Sequence, residues 1–427
     1  MSNFTLFGAQ LADGSIANIE ISDGVITGVG SGVSGESVNA AGLVALPGFV
    51  DLHTHLREPG FEQSETVRTG SMAAAKGGYT AVHAMANTHP VADTAGVVEQ
   101  VKALGDEAGY VQVQPIGAVT VGLEGKQLAE LGAMADSKAQ VRVFSDDGKC
   151  VHDPLLMRRA LAYVKNFGGV IAQHAQEPRL TENSQMNEGA VSAELGLAGW
   201  PAVAEESIIA RDVLLAEAAG SRIHICHLST AGSVEIIRWA KARGINVTAE
   251  VTPHHLLLTD ELVRGYDSVY KVNPPLRTAK DVEALRAALV DGTIDIVATD
   301  HAPHPDESKD CEWNAAAFGM LGLETAASIA QLVLIDSGAS NWSRFVEVMS
   351  TKPAEISGIS GQGGQIAVGQ PANIALIDPS AAREISGGGA SKSSNQPFEG
   401  MSLPGTVVHT VFRGEFTVRD GNLVERG

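Results

Sequence analysis

Eight apolar, strand-like segments alternate with helical segments from residue 47 to about residue 350, and this alternation limits the folds open to the chain. Parallel strands require such crossovers, and eight β/α units are the number that closes a TIM-type (β/α)8 barrel. A doubly wound open sheet is the alternative α/β fold, but no Gly-rich dinucleotide fingerprint follows any of these strands. The predicted strands lie near residues 49–52, 78–85, 110–116, 140–144, 169–173, 222–226, 245–251 and 295–299, and helices are predicted near 96–104, 128–134, 154–166, 204–218 and 232–242.

Both ends of the chain differ from this central part. Residues 1–46 read as short strands separated by the turns Asp13-Gly14 and Asp23-Gly24. Strand-like segments return in residues 351–427, at 365–368, 373–377 and 407–411, with a Gly/Ser-rich stretch at 386–391 that predicts a mobile loop. We therefore expect both termini to form one small β-sandwich that flanks a barrel of residues 47–350.

The overall charge excludes several classes of partner. A formal net charge of -20 over 427 residues argues against nucleic acid or an anionic membrane surface. The longest apolar runs are shorter than a membrane span, and the first residues lack a basic-then-apolar signal, which predicts a cytoplasmic protein. Three widely spaced cysteines form neither a disulfide framework nor a CxxC metal site, so we expect reduced thiols.

A pair of histidines ends the first predicted barrel strand. Side chains alternate along a strand, so His53 and His55 point to the same side. A lone histidine is more often a packed side chain that only forms hydrogen bonds. Two imidazoles that project together at a strand end, before Arg57 and Pro59-Gly60, favour a pair of metal ligands.

Histidine and carboxylate residues recur where the other predicted strands end. Each of these residues alone could belong to a turn, a helix cap or a packed core, but their recurrence after five or more strands is hard to attribute to turns. Histidine together with carboxylate suits Zn²⁺, and a set this large exceeds one tetrahedral site, which suggests two metals that share a bridging ligand. Spacing alone leaves Asp146 and Asp147 equivalent. The residues at the strand ends are Asn87, Asp146-Asp147, His174, His227, His254-His255, Asp300-His301 and His304.

In these motifs the whole chain resembles the dihydroorotases of the cyclic amidohydrolase superfamily, in particular the bacterial type I branch. The resemblance is carried by FVDLHTHLREPG at 49–60, GGYTAVHAMANTHPVADT at 77–94, FSDDG at 144–148, AEVTPHHLLLTD at 249–260, YKVNPPLR at 270–277 and IVATDHAPH at 296–304.

The resemblance implies a role for individual residues. Asp147 takes the place of the bridging ligand, where hydantoinases and allantoinases have a carboxylated lysine; here Lys149 lies beyond, in the loop. The implied metal ligands are His53, His55, Asp147, His174, His227 and Asp300, and the implied substrate-binding residues are His55, Arg57, Asn87, Asn273, His304, Phe318 and Gly319.

The resemblance also implies an activity. It is the reversible cyclisation of N-carbamoyl-L-aspartate to L-dihydroorotate in pyrimidine biosynthesis, by a metal-bound hydroxide with Asp300 as general acid and base. Two Zn²⁺ per chain, a homo-oligomer and aspartate transcarbamoylase as a candidate partner are implied as well. The alternatives are another cyclic amidase of the hydantoinase or allantoinase kind, or a non-catalytic paralogue that scaffolds aspartate transcarbamoylase. The charged segment 305–312 is expected to be either solvated surface or a lid over the site.

Overall fold

The computed structural model describes residues 3–426, and their elements place the chain in the α/β class. Short strands come first, parallel strands that alternate with helices follow, and antiparallel strands return at the end. In this part of the chain, no helix has both the length and the apolar character that crossing a lipid bilayer requires.

The N-terminal strands form hairpins at the predicted turns. At Asp23 and Gly24 the φ angles are 50° and 83°, which is the left-handed conformation that matches the twist of a two-residue hairpin. The strands are β1 (Asn3–Gln10), β2 (Ile16–Ser22), β3 (Val25–Gly30), β4 (Glu36–Asn39) and β5 (Val44–Pro47).

The central strands include all eight that the sequence predicts. Every residue of the first two is buried, as expected for parallel strands covered on both faces. An additional short parallel pair, β11 and β12, lies in the long connection after the fifth. The strands are β6 (Phe49–Thr54), β7 (Tyr79–Ala84), β8 (Gln112–Pro115), β9 (Val143–Phe144), β10 (Val170–Gln173), β11 (Met186–Asn187), β12 (Gly199–Trp200), β13 (Ile223–Ile225), β14 (Val247–Val251) and β15 (Ile296–Val297).

These eight strands form two parallel sheets that are bridged to each other at both edges. One sheet has the order β6-β7-β8, and the other has the order β9-β10-β13-β14-β15. A parallel bridge between Gly117 and Phe144 connects the end of β8 to β9, and another between Thr54 and His301 connects β6 to the residues after β15. The chain order of the strands is therefore also their order in space.

One buried apolar cluster draws residues from both sheets. Seven of the eight strands contribute a side chain, either from within the strand or from the residues that directly follow it. The helix α13 (Lys352–Ser357) adds one more. The two sheets therefore enclose a common interior. The cluster consists of Leu52, Met85, Ile116, Val143, Val170, Ala172, Cys226, Ile296, Ala298 and Ile356.

Helices follow most of the parallel strands and pack outside them. Pro154 occupies the first turn of the helix predicted to start there, and the Asp153 carboxylate caps it by accepting a 2.8 Å hydrogen bond from the Leu156 N–H. The helix predicted near 128–134 is displaced to α3, and the other four predicted helices are confirmed. The helices are α1 (Val67–Lys76), α2 (Ala95–Ala108), α3 (Leu131–Asp136), α4 (Pro154–Val164), α5 (Ala190–Leu195), α6 (Val203–Ala219), α7 (Ala231–Ala242), α8 (Pro253–Leu257), α9 (Ala279–Asp291), α10 (Asp306–Lys309), α11 (Ala326–Gln331), α12 (Trp342–Val346) and α13 (Lys352–Ser357), with short 3-10 turns at Val121–Leu123, Lys165–Phe167, Asp260–Gly265 and Ser268–Tyr270 and π-helical turns at Leu332–Asp336 and Glu347–Thr351.

Both ends of the chain join in one nine-stranded sheet. The C-terminal strand β16 pairs antiparallel with the N-terminal strand β5, with Ile374 opposite Pro47. The strand order is β19-β18-β17-β16-β5-β1-β2-β3, and β4 pairs with β1. The remaining strands are β16 (Ile374–Glu384), β17 (Ser402–Phe412), β18 (Glu415–Arg419) and β19 (Asn422–Leu423).

One predicted strand is wrong. Residues 365–368 form bends and turns rather than a strand. Gly361, Gly363 and Gly369 have φ angles of 74°, 69° and 85°, so the chain turns on both sides of this apolar segment. Val368 is 64% exposed as a result.

Candidate metal centre and active site

Six buried histidine and aspartate side chains meet at the C-terminal ends of the parallel strands. Each lies at or directly after a different strand end, except for the pair from β6, so the sheet itself brings together residues that are distant in the sequence. Within the described residues, their ligand atoms form two overlapping groups in which all atoms lie within 4.8 Å of one another. The first group is His53, His55, Asp147 and Asp300, and the second is Asp147, His174 and His227.

Asp147 belongs to both groups and presents one oxygen to each. Its Oδ2 lies 3.3 Å from Nε2 of His53 and 3.3 Å from Nε2 of His55. Its Oδ1 lies 3.1 Å from Nδ1 of His174 and 3.2 Å from Nε2 of His227. A carboxylate divided in this way has the geometry of a bridge between two cations.

Glu250, which the sequence analysis missed, orients His53. Its Oε1 lies 2.6 Å from Nδ1 of His53, and its Oε2 lies 2.9 Å from Nε2 of His224. The backbone N–H of His227 also donates to Glu250 Oε1, at 3.2 Å. The available signal was a glutamate within the apolar strand β14, because a fully buried glutamate is rare unless it is paired.

Two further histidines are oriented by side-chain amides. Nδ1 of His55 lies 2.9 Å from Oδ1 of Asn87, and Nε2 of His174 lies 2.7 Å from Oε1 of Gln176. An amide oxygen only accepts, so each of these outward nitrogens carries the proton. The opposite nitrogen of each ring then points its lone pair towards Asp147.

The arrangement of donor atoms fits metal cations. Nε2 of His53 is buried and makes no hydrogen bond to any other residue of the described range 3–426, and Nδ1 of His174 lies only 2.8 Å from Nε2 of His227. Burial lowers the pKa of His53, but the carboxylates of Asp147 and Asp300 outweigh it and hold that pKa well above its usual value. Converging lone pairs beside buried carboxylates require positive charge between them, and divalent ions of the zinc type bind such donors.

Asp300 lies at the edge of the first group. Its Oδ1 is 3.4 Å from Nε2 of His53 and 3.1 Å from Nε2 of His55. Burial raises the pKa of Asp300, but the facing imidazoles of His53 and His55 more than offset this and lower it to about 2. The carboxylate is thus held in its ionised form, which is the form that binds a metal and accepts a proton.

Three residues of the site have a left-handed backbone. The φ angles of Arg57, His227 and Asp300 are 63°, 31° and 47°. Residues with a Cβ adopt this conformation at a cost of order 1–3 kcal/mol, so the surrounding structure must enforce it. The packing around these strand ends thus stabilises a backbone conformation that these residues would otherwise disfavour, and this conformation sets the direction of their side chains.

A cationic side chain lies next to the six residues. Nη2 of Arg57 is 3.3 Å from Nε2 of His304, and its Nε–H donates to the Pro303 carbonyl at 3.1 Å. Burial lowers the pKa of Arg57 to about 10, which leaves the guanidinium charged at neutral pH. Nε2 of His304 lies 2.8 Å from the carbonyl oxygen of Phe318, so the segments around residues 304 and 318 are in direct contact.

Asn273 lies on the other side of the same group. Its Nδ2 donates to Oε1 of Gln176 at 3.2 Å, which links it to His174. Its Oδ1 is buried and has no hydrogen-bond partner among the described residues. A buried acceptor without a partner costs free energy, and a ligand that donates a hydrogen would relieve that cost.

Several strand-end residues have other partners. Asp146 accepts hydrogen bonds from the backbone N–H groups of Val119 and Thr120 at 2.8 and 2.9 Å, so it fixes the backbone rather than facing the histidines. Nε2 of His255 faces the Pro274 carbonyl at 3.2 Å. Nε2 of His301 lies 3.4 Å from Glu65. Nε2 of His254 is buried and has no hydrogen-bond partner in the described part of the chain, and Lys149 is exposed. The three cysteines are unpaired.

The charged segment after β15 is not wholly solvated. Lys309 is only 7% exposed, and its Nζ donates to the Lys271 and Ala317 carbonyls at 3.1 and 2.9 Å. Lys271 is also buried, and its ammonium lies 4.5 Å from the centre of the Phe318 ring. Buried lysines bonded to backbone carbonyls tie this segment to the wall of the site, and whether it also opens as a lid remains a prediction.

Comparison with known proteins identifies close relatives. The family model described as dihydro-orotase-like matches residues 42–233. The chain is 68% identical to a dihydroorotase of Leifsonia xyli, over 99% of this chain and 97% of that protein. It is 66% identical to a dihydroorotase of Streptomyces coelicolor over 99% and 100%, and 55% identical to one of Mycobacterium tuberculosis over 96% and 97% of the two chains.

Solved structures of more distant proteins share the fold. The chain is similar to an L-hydantoinase (dihydropyrimidinase) of Arthrobacter aurescens, with a TM-score of 0.88, 25% identity and coverage of 100% and 98% of the two chains. A dihydropyrimidinase of Brevibacillus agri NCHU1002 gives 0.84 at 23% identity, with coverage of 99% and 96%. The α/β architecture described above is therefore common to these enzymes over their whole length.

Proposed function

This chain belongs to the dihydroorotase family of cyclic amidohydrolases, and from that premise we propose how its buried site performs the reaction. The function is that of a dihydroorotase: the reversible cyclisation of N-carbamoyl-L-aspartate to L-dihydroorotate.

We infer that the eight parallel strands close into a TIM-type barrel. The single terminal sheet would flank this barrel as a small β-sandwich by folding over its own buried apolar cluster, which includes Leu6, Ile19 and Ile374. The bridges Gly117–Phe144 and Thr54–His301 and the shared interior cluster support the closure. In such barrels the catalytic groups collect at the C-terminal strand ends, which is where the six buried residues lie.

Two Zn²⁺ ions per chain fit the donor atoms. His53, His55 and Asp300 would hold one ion, His174 and His227 the other, and Asp147 would bridge them. Bound there, zinc would supply Lewis acidity for the ring carbonyl and lower the pKa of a coordinated water. The single observation that carries this assignment is the division of Asp147 between two histidine pairs, with one oxygen 3.3 Å from His53 and the other 3.1 Å from His174.

Arg57, Asn87 and His304 would bind the exocyclic carboxylate of the substrate. The Oδ1 atom of Asn87 accepts a hydrogen bond from Nδ1 of His55, so the amide N–H groups of Asn87 are available to a ligand. The Nε–H of Arg57 donates a hydrogen bond to the Pro303 carbonyl, so the terminal guanidinium nitrogens remain to bind an anion. A guanidinium offers two parallel hydrogen bonds to a carboxylate, and this local positive charge lets a protein of net charge -20 bind an anionic substrate.

The remaining ring-binding groups would be Asn273 and the backbone of Phe318 and Gly319. Asn273 Oδ1 has no hydrogen-bond partner within residues 3–426, so it can accept a ring N–H. The Phe318 carbonyl oxygen lies 2.8 Å from Nε2 of His304, which is itself a proposed substrate-binding residue.

Asp300 would move the proton. In ring opening, it takes a proton from the attacking water and delivers it to the ring nitrogen as the amide bond breaks. In ring closure, the same carboxylate takes a proton from the carbamoyl nitrogen as that nitrogen attacks the substrate's side-chain carboxyl group, which reacts in its protonated form. Asp300 then delivers the proton to the hydroxyl that leaves this carboxyl carbon as water. Nε2 of His55 lies 3.1 Å from Asp300 Oδ1, so a cation bound between these two atoms would hold the carboxylate in position.

One experiment separates this proposal from its alternatives. Zinc content and rates on dihydroorotate, hydantoin and allantoin are measured before and after chelation. We expect about two metal ions per chain and turnover of dihydroorotate that chelation abolishes and zinc restores. Faster turnover of hydantoin or allantoin would indicate another cyclic amidase. Metal-free protein without activity on any of the three would indicate a non-catalytic scaffold.

A further inference from the structure

The loop between β16 and β17 lies against the segment that follows His55. The Ser391 hydroxyl donates to the buried carboxylate of Glu65, and the backbone N–H of Lys392 donates to the same carboxylate at 3.0 Å. The Ser393 hydroxyl donates to the Ser64 carbonyl at 2.7 Å. The chain from the last residue of the Gly/Ser-rich stretch 386–391, which the sequence predicts to be a mobile loop, is therefore fastened next to the site.

Asn395, within the same loop, bonds to the segments that carry the proposed carboxylate-binding groups. Its side chain is 5% exposed, and its Oδ1 accepts a 3.1 Å hydrogen bond from the backbone N–H of His304. Its Nδ2 donates to the carbonyls of Ala302 and Gly319 at 3.0 and 3.2 Å. The side-chain amide of Asn395 thus accepts one hydrogen bond and donates two, all with backbone atoms of two different segments.

Those two segments meet at close range. Nε2 of His304 lies 2.8 Å from the Phe318 carbonyl oxygen. A Cβ added to Gly319 would lie 2.8 Å from the same Nε2 and 2.9 Å from the Ala302 carbonyl oxygen, which is too close for a side chain. A small change in the separation of residues 302–304 and 319 would therefore move the His304 ring relative to the substrate.

We propose that Asn395 is a positioning residue for the substrate carboxylate. It acts by holding the backbones of His304 and Gly319 at the separation that the carboxylate-binding groups require. This inference rests on the proposed function, because it assigns Asn395 to the site that binds dihydroorotate. It gives the C-terminal region a part in substrate affinity, although all metal ligands come from the central strands.

The chemistry of the amide explains why asparagine suits this position. The backbone groups around Asn395 require one hydrogen-bond acceptor and two donors, and a side-chain amide provides all three. An aspartate of the same size could accept from His304, but its carboxylate would face the two carbonyl oxygens without a hydrogen to donate. The backbone N–H of Ala302 also donates to the Met320 carbonyl at 2.8 Å, so the segments stay connected when Asn395 is replaced.

The test compares Asn395→Ala and Asn395→Asp with a matched control in the zinc-loaded, full-length enzyme. Asn373 is the control because it is also buried and also bonds two backbone groups, the Gly361 carbonyl at 2.8 Å and the Arg413 N–H at 2.8 Å. Neither partner carries a proposed substrate-binding group. For each variant, KM and kcat for dihydroorotate, zinc content and Tm are measured.

We expect both Asn395 variants to raise KM by about 10-fold to 100-fold, as for loss of a positioned charge-assisted hydrogen bond, with kcat within about threefold and zinc unchanged. Asn373→Ala should lower Tm but leave KM within about twofold. An unchanged KM in either soluble Asn395 variant, or an equal rise in KM in Asn373→Ala, would overturn the inference. Wild-type enzyme without ring-opening activity would instead reject the proposed function, and this inference with it.

Discussion

Glu250 Oε1 lies 2.6 Å from Nδ1 of His53, and both side chains are fully buried. The carboxylate fixes the proton on Nδ1 and directs the Nε2 lone pair towards Asp147 and Asp300. Partners of this kind set the tautomer and the direction of a metal-binding imidazole.

The first prediction concerns this carboxylate. Glu250→Gln keeps the size but can present an N–H to His53, which would allow the ring to carry its proton on Nε2 instead. We expect zinc affinity to fall by about 10-fold to 100-fold, the usual effect of losing such a partner. Competition with a chelator measures it. Glu355→Gln, at an exposed glutamate paired with Lys352, is the control and should leave zinc affinity unchanged.

The second prediction tests recognition of the substrate. Arg57→Lys keeps the charge and the same backbone strain but loses the two-pronged hydrogen bonding and the bond to the Pro303 carbonyl. We expect KM for dihydroorotate to rise by about 10-fold to 100-fold, or ~1.4–2.8 kcal/mol, with zinc content unchanged.

Arg222→Lys is the matched control, since Arg222 also donates from Nε to a carbonyl, that of Gly169, but lies at the opposite end of the strands. If Arg57→Lys changed KM as little as Arg222→Lys does, the substrate carboxylate would have to bind to other residues.

The third prediction separates metal binding from proton transfer at Asp300. Asp300→Asn keeps one oxygen towards His55 but cannot accept a proton, so ring opening should fall by about 10²–10⁴-fold while much of the zinc stays bound. Asp147→Asn is the contrasting variant and should lose zinc as well as activity. Steady-state kinetics and metal analysis on the same samples provide the comparison. Near-normal turnover by a zinc-replete Asp300→Asn would assign the proton to another group, with His304 the first candidate.

The fourth prediction concerns pH and stability at Lys309. Burial, reinforced by Lys271, lowers the pKa of Lys309 to about 7, below the 10.5 of the unfolded chain. Between these two values the unfolded chain binds more protons, so this group makes the free energy of unfolding rise with pH from about 7 to 10.5. Below pH 7, both states are protonated and the cost of burying the charge is constant.

Lys309→Met removes that titration. Relative to the variant, the wild type should gain about 3 kcal/mol between pH 6.5 and pH 9.5, since each pH unit above 7 adds about 1.4 kcal/mol; denaturant unfolding at pH 6.5, 8 and 9.5 measures this gain. Lys126→Met, at a surface lysine paired with Glu124, is the control. A difference in stability that does not change with pH would show that Lys309 is buried without a change in pKa.

The pattern of apolar segments predicted the eight central strands because strands buried on both faces are apolar along their length. It failed at residues 365–368, where glycine turns on both sides leave the segment without a partner strand. Spacing could not separate Asp146 from Asp147, since adjacent strand-end residues differ only in direction. The structure shows that one binds the Val119 N–H and the other faces the histidines.

Residues that support the site were harder to find from the sequence. Glu250 carried a signal, a carboxylate within a buried strand, but Asn395 carried none. Its partners lie in the loop after β15, and no local pattern links them to the C-terminal region. Self-association and binding of aspartate transcarbamoylase remain predictions.

The pairing of β5 with β16 has a consequence for how the protein is made. The ribosome synthesises β5 and the first two proposed metal ligands, His53 and His55, early, but β16 and the loop that contains Asn395 are among the last residues to emerge. Until then, β5 lacks its neighbour on one edge and the wall beside His304 is missing. A nascent or prematurely terminated chain that lacks these residues would therefore carry all six proposed metal ligands on an incomplete scaffold, and we expect full substrate affinity only once the C-terminal region is in place.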